Sequence, residues 1–213
     1  MNRRIKIHPL VKYVAAAVFI CICHISEAYA QEAEDNTFGG YFFCEVNHDF
    51  KSGFYVTEYL EFDHFQFSRM EAFYSRTSFG YSFLPWLKFG VNYVPLMEPG
   101  QLKHFCEIEL LGTLKSGGFK VSLRERYRHG FTDSSNELRS RLKVAYMIPN
   151  SGFGVYLAPE VFTWGTEWKK TRHYVACTYN ITPYLQAEVY YMFYAFRTAL
   201  AEHVIGLGVN FNL

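Results

Sequence analysis

Arg124, Arg126 and Arg128 recur at every second position, and Arg139, Arg141 and Lys143 repeat that spacing one segment later. Successive side chains of a β-strand point to opposite faces, so each trio shares one face of its strand. The alternate face of each segment is mostly apolar: Val121, Leu123 and Tyr127 in the first, Leu138, Leu142, Val144 and Tyr146 in the second. One segment earlier, Glu107 and Glu109 alternate with Cys106, Ile108 and Leu110; later segments put Glu160 in phase with Tyr156, Arg172 with Thr178 and Asn180, and Glu188 with Gln186. Glu45, Asp49, Arg76 and Lys88 extend the same face towards the N-terminus. Rows of this kind have two uses. Interleaved carboxylates and guanidinium groups can fill a narrow interior and tie its strands together, because buried charges must be paired. Arginines in excess over their partners can line a path that attracts anions. The residues expected to form this network are Glu107, Glu109, Arg124, Arg126, Arg128, Arg139, Arg141, Glu160, Arg172 and Glu188. Glu58 and Glu125 fall on the apolar faces, where a position near a strand end or a bulge is expected of each.

Other chemistry is thinner. An acyl-transfer site needs a nucleophilic Ser, a His base and an orienting carboxylate or amide. His48, His64, His104, His129, His173 and His203 are eligible; His129 precedes Asp133, Ser134 and Ser135, and His203 follows Glu202. No recognisable motif surrounds either, so no catalytic residue is assigned. Three cysteines, Cys44, Cys106 and Cys177, follow residue 30 without a CxxC pair, which argues against a zinc site or disulfide scaffold. No metal or cofactor is expected. The aromatic runs Tyr190–Phe196 and Phe79–Trp86 read as interfacial girdles. Trp164 and Trp168, beside Lys169 and Lys170, are the best ligand-contact candidates, though an interfacial role is favoured.

The elements that must position these residues are short and regular. Period-two segments are expected near 40–50, 54–63, 70–84, 87–97, 103–114, 119–129, 137–147, 152–163, 171–180, 184–195 and 203–213, separated by turn chemistry and with no linker between domains. Short connections at Pro85-Trp86, Lys115–Gly118, Pro149–Ser151 and Thr182-Pro183 alternate with longer ones at Glu98–Leu102, Gly130–Asn136, Gly165–Lys170 and Arg197–Glu202. Bacterial outer-membrane barrels have short periplasmic turns, longer external loops and an even strand number. Eleven segments are therefore raised to about twelve, with ten as the alternative, and the miscount is placed between 31 and 70. The last eleven residues alternate bulky apolar side chains with Val, Gly or Asn, as a strand between lipid and a small or polar interior would.

Lipid as the outer solvent follows from the arginines: one facing lipid at mid-membrane costs about 2–4 kcal/mol, so the rows must point inward. The N-terminus carries the matching export signal: Arg3, Arg4, Lys6 and Lys12, then an apolar run from Val14 to Cys23, then Ala28-Tyr29-Ala30. That run falls short of the ~20 apolar residues a transmembrane helix needs. Cleavage after Ala30 gives a signal peptide, 1–30, and an outer-membrane barrel, 31–213. The mature part keeps 17 of the 21 basic and 19 of the 20 acidic residues, a balance that excludes electrostatic capture of nucleic acid. Aromatic residues make up 19% of the chain, more than a soluble core of this size readily buries.

The runs Ser122–His129, Leu138–Tyr146, Thr182–Glu188 and His203–Leu207 resemble the uncharacterised family known as domain of unknown function 2490, over roughly 70–213. The resemblance implies an exported outer-membrane barrel of a Gram-negative bacterium, with paired Arg-x-Arg strands and a Pro-Tyr-Leu strand carrying an inward Glu. It implies no activity. One departure is the end of the chain, Phe211-Asn212-Leu213, where many barrels finish in an aromatic residue; Leu213 keeps the outward phase. The expected fold is an all-β, up-and-down antiparallel transmembrane barrel. Its expected partners are outer-membrane lipids and the barrel-assembly machinery, with any soluble ligand unknown. The leading function is a narrow, charged-lumen barrel serving as a small-solute channel or structural element. Alternatives are a lipid-modifying barrel enzyme and a soluble periplasmic lipocalin-like lipid carrier, whose faces would be reversed.

Overall fold

The computed structural model describes residues 35–65, 69–165, 167–197 and 200–213. The expected signal peptide and its cleavage point at Ala30 lie outside the described residues. Eleven strands follow one another: β1 (Asp35–Asp49), β2 (Phe54–Phe65), β3 (Arg69–Leu84), β4 (Leu87–Glu98), β5 (Gln101–Ser116), β6 (Phe119–Gly130), β7 (Asn136–Met147), β8 (Phe153–Trp164), β9 (Glu167–Asn180), β10 (Leu185–Phe196) and β11 (Leu200–Asn212). Each pairs with its sequence neighbours, and β1 closes the barrel against β11. The expected all-β barrel is therefore present, one strand short of twelve among the described residues. An up-and-down meander of odd number brings its first and last strands together pointing the same way. Accordingly β1 and β11 pair in parallel from Asp35↔Leu200 to Asn47↔Asn212. Evenness is a habit of bacterial barrels rather than a condition of closure, since a parallel ladder also satisfies every edge group. The backbone N–H of Leu213 extends this seam by donating to the Asn47 carbonyl at 2.8 Å.

Loop lengths depart from expectation. The connections at the Leu213 end (50–53, 85–86, 117–118, 148–152, 181–184) and at the opposite end (66–68, 99–100, 131–135, 165–166, 197–199) all run two to five residues. Strand pairing continues into the segments expected as long loops: β5 starts at Gln101, β9 at Glu167 and β11 at Leu200. Gly117, at φ +59°, supplies the left-handed conformation for the two-residue hairpin between β5 and β6.

The period-two pattern sorts the barrel's faces. Phe79, Phe83, Leu123, Val175, Val189 and Leu207 stand 51–60% exposed on the outside. Glu107, Glu160, Arg126 and Arg128 are buried within. A soluble carrier needs the reverse, so the lipocalin-like alternative fails on the faces. An apolar exterior around a charged interior is the arrangement of a membrane-spanning barrel, in which closure leaves no backbone group unpaired in lipid.

Glu58 and Glu125 point outward, but neither lies at a strand end or a bulge. The register shifts fall at Asp63/His64, Ser82/Leu84 and Phe162/Thr163. Glu125 is in the middle of β6 and accepts a hydrogen bond from Ser140 Oγ at 2.5 Å; Glu58 accepts from Ser75 Oγ at 2.9 Å and Thr77 Oγ1 at 2.7 Å. Hydroxyl groups on the neighbouring strands thus let these carboxyls remain on the apolar face.

Candidate functional site

The ionic wall is built by register. Across β5 and β6, Glu107 lies opposite Arg128 and Glu109 opposite Arg126. Across β6 and β7, Arg124 faces Arg141 and Arg126 faces Arg139, so like charges are directly opposed, an unfavourable arrangement by itself. Carboxylates on the strands either side make it tenable. Arg126 pairs with Glu109 at 2.8 Å and Glu107 at 3.2 Å, and Arg128 pairs with Glu107 at 2.7 Å. From β8, Glu160 accepts from Arg124 at 3.2 Å and from Arg172 at 2.5 Å. Arg139 is held by Glu137 of its own strand at 2.5 Å. Glu188 sits apart from this group on β10 and takes the Tyr156 hydroxyl, with the Lys143 ammonium 3.5 Å from the centre of the Tyr156 ring.

Arg141 is the exception. Its cross-strand neighbour is Glu160, but that carboxylate is already committed to Arg124 and Arg172. Arg141 has no hydrogen bond or ion pair to a described residue, and it lines the lumen. All ten residues expected in the charge network point inward. The structure joins seven of them through shared partners, places Arg139 on Glu137 and Glu188 on Tyr156 instead, and leaves Arg141 open.

A cavity of about 330 Å³ runs along the interior, from Glu45 and Asn210 towards Glu98 and Lys170. At about 30 Å³ per water it holds on the order of ten. Nine cations line it: Arg76, Arg124, Arg126, Arg128, Arg139, Arg141, Lys143, Lys170 and Arg172. Five carboxylates do so: Glu45, Glu61, Asp63, Glu98 and Glu188. Glu107 and Glu160, both at 0% exposure, lie behind the arginines rather than on the cavity surface. The cavity therefore meets guanidinium groups whose counter-charges are set back in the wall.

The opposite wall is aromatic, which the girdle reading of Tyr190–Phe196 misses. Tyr190, Met192 and Tyr194 turn inward and pack with Phe43, Tyr156 and Val204, while Tyr191 and Phe193 stay outside. The signal was present in the spacing: Tyr190, Met192 and Tyr194 are in phase with the inward Glu188. Gly206 and Gly208 of β11 make room for this wall, since a Cβ at either would overlap the Tyr190 or Phe43 ring. Phe43 stacks on Tyr59 with centroids 5.4 Å apart, carrying the aromatic surface onto β2.

The eligible catalytic groups do not converge. His129 Nδ1 bonds Asn136 Oδ1 at 2.9 Å, and His203 Nδ1 bonds the Tyr191 hydroxyl at 2.6 Å. Asp133 accepts instead from Ser135, whose hydrogen bonds hold its carboxyl below the ordinary carboxylate range. Trp164 Nε1 donates to Glu137 at 3.3 Å, while Lys169 lies 5.1 Å over the Trp164 ring. Among the described residues no group of His, Cys, Asp or Glu is arranged to hold a metal ion.

Two solved structures share the architecture. The NanC porin superposes with a TM-score of 0.57 at 12% identity, covering 79% of this chain and 91% of that one. The KdgM porin gives 0.50 at 12% identity, over 71% and 82%. At that identity the likeness is one of fold. No curated protein matches in sequence. A family model described as "Protein of unknown function (DUF2490)" matches residues 38–200, three quarters of the sequence, and the chain belongs to that family.

Proposed function

We propose that this protein is an outer-membrane channel through which small anions pass. The observation that carries the reading is the polarised lumen, with arginines on the cavity surface and Glu107 and Glu160 sealed behind them. A fixed cationic lining in a narrow, low-dielectric passage raises the local concentration of anions and repels cations. The ion pairs serve the same end, because guanidinium groups held by carboxylates in the wall keep their remaining donors in the passage without collapsing it. The two porin neighbours support the channel reading through their architecture.

The route to the membrane belongs to the proposal. The signal at 1–30 directs export and is cleaved after Ala30. The assembly machinery then inserts 31–213 with the Leu213 end towards the periplasm. Outer-membrane lipid surrounds the apolar belt.

The test is single-channel recording in a planar bilayer under a KCl gradient. The expected reversal potential has the sign of anion selectivity, and Arg141→Ala, which breaks no ion pair, reduces that selectivity several-fold while leaving the folded barrel's heat resistance unchanged. Cation selectivity, or a folded barrel that passes no current, would overturn the channel.

A further inference from the structure

Histidine is distributed unevenly on the lipid face. His64 on β2, His104 on β5, His129 on β6, His173 on β9 and His203 on β11 all point outward in the half of the barrel away from Leu213. His48 is the one outward histidine of the described residues at the Leu213 end. Three of the five share one construction. His104 Nδ1 meets the Tyr93 hydroxyl at 2.6 Å, His203 Nδ1 meets the Tyr191 hydroxyl at 2.6 Å, and His129 Nδ1 meets Asn136 Oδ1, which also accepts from Tyr127 at 2.7 Å. In each, a tyrosine on the same face, nearer the barrel's middle, reaches towards the imidazole or its amide partner. Nδ1 is thereby fixed and Nε2 is left without a partner among the described residues. Tyrosine alone would make an interfacial belt. The recurrence of histidine on three strands, the neighbours β5 and β6 and the distant β11, adds something a belt does not need, a set of oriented nitrogen donors that can become cations.

We propose that this histidine–tyrosine collar binds the phosphate groups of lipid headgroups in the leaflet it meets, anchoring that end of the barrel. The inference rests on the membrane reading above, but not on the channel. Charge complementarity singles out the occupant. The collar's outward groups are imidazoles, hydroxyls and one amide, and the rim beyond them adds Lys169 and Arg197. The carboxylates of that end are engaged: Glu167 with Lys169 and Arg197, Glu98 with Lys103 and Asp133 with Ser135. Glu71 and Glu202 sit near the same end, on β3 and β11, with Glu202 on the inner side. Facing the three imidazoles from the packed strands are Tyr93, Tyr127, Tyr191, Asn136, Cys106, Phe131 and Phe193, none of them a carboxylate. Histidine is the side chain whose charge changes between pH 5 and 8, so a phosphate contact made through it strengthens on acidification.

The test reconstitutes the full mature barrel in three vesicle types: phosphatidylcholine alone, with phosphatidylglycerol, and with phosphatidic acid. The temperature at which the unboiled, compact gel form is lost is measured at pH 5.5 and pH 8. The expected result is a rise of several degrees at pH 5.5 in vesicles containing either anionic lipid, larger for the phosphomonoester. It should fall by about a third in H104Q, H129Q or H203Q and vanish in the triple variant, while H48Q behaves as wild type. A rise confined to phosphatidic acid assigns the site to phosphomonoesters. Equal stability in all three vesicle types, or a rise that survives in the triple variant, would overturn the collar. Failure to insert into any vesicle would overturn the membrane reading itself.

Discussion

Replacing Arg126 with Ala should cost the barrel several degrees of heat resistance. Arg126 is 2% exposed and bridges Glu107 at 3.2 Å and Glu109 at 2.8 Å. The two carboxylates do not suffer equally. Glu107 keeps Arg128 at 2.7 Å and the Asn92 amide at 3.2 Å, whereas Glu109 keeps one contact, Arg124 Nε at 4.0 Å. The variant therefore strands one buried carboxylate. Removing one partner of a buried pair costs about 3–5 kcal/mol, and the 13% exposure of the Glu109 side chain places this case near the lower figure, about 3. At roughly 2–4 °C per kcal/mol for a chain of this size, the loss of the compact gel form should move down by roughly 6–12 °C. The double variant Arg126→Ala/Glu109→Gln tests the cause, because it removes the stranded charge as well as its partner. It should recover about half of the loss, and the cycle isolates the coupling. A single-variant shift under about 2 °C would refute the inward pairing of β6 with β5. A double variant no better than the single would show that packing, and not the stranded charge, set the cost.

Two further variants probe the outer face and the β11 seam. Glu125→Leu replaces a mid-strand carboxyl on the lipid side and should raise the unfolding free energy, measured by urea titration in phosphatidylcholine vesicles, by about 1 kcal/mol, given that acidic residues cost less there than the ~2–4 kcal/mol of Arg or Lys; a loss of stability would show that the Ser140 contact outweighs the exposure. Gly206→Ala drives a methyl into the Tyr190 ring and should destabilise by about 1–3 kcal/mol. Gly112→Ala, whose Cβ would have the Leu123 carbonyl at 3.9 Å as its nearest neighbour, serves as the control and should change little.

The fold was open to reading because a barrel strand writes its two solvents into alternate residues. All eleven segments expected from alternation have their counterpart among β1 to β11 of the described residues, and the twelfth rests on parity alone, which no run of residues contains. Parity is a property of how the ends meet. No local pattern in Gly39–Val46 or Val204–Phe211 announces that these two segments lie side by side in parallel. Loop length was misjudged for a related reason. The stretches 98–102 and 165–170 carry Gly, Pro and charged residues, which mark turns, yet the ladders hold them to within two residues of the tip. Composition reports that the chain reverses there, and pairing decides how far the strands run first.

The candidate site was legible in direction but not in depth. Alternation placed Arg124, Arg126 and Arg128 with Glu107 and Glu109 on one face, and that face is the lumen. Nothing in the spacing could show that Glu160 would reach across β7 to Arg124 while Arg141, its nearest neighbour in register, goes without. That choice depends on barrel curvature, which brings the inward ends of alternate strands closer than their backbones. The same curvature separates charge count from charge display. Taken together, the nine cations lining the cavity and the five carboxylates beside them are brought to balance by Glu107, Glu109, Glu137 and Glu160 in the wall. A passing ion does not meet the sum. It meets the layer nearest the axis, and the field there is set by which partner stands in front. Exchanging Arg126 and Glu109 in position would keep their mutual ion pair and the net charge, at the cost of the contacts to Glu107 and Arg124, yet place a carboxylate where a guanidinium now faces the passage. If selectivity follows the front layer, such a swap should lower anion preference more than it lowers stability, and net charge alone would predict no change at all.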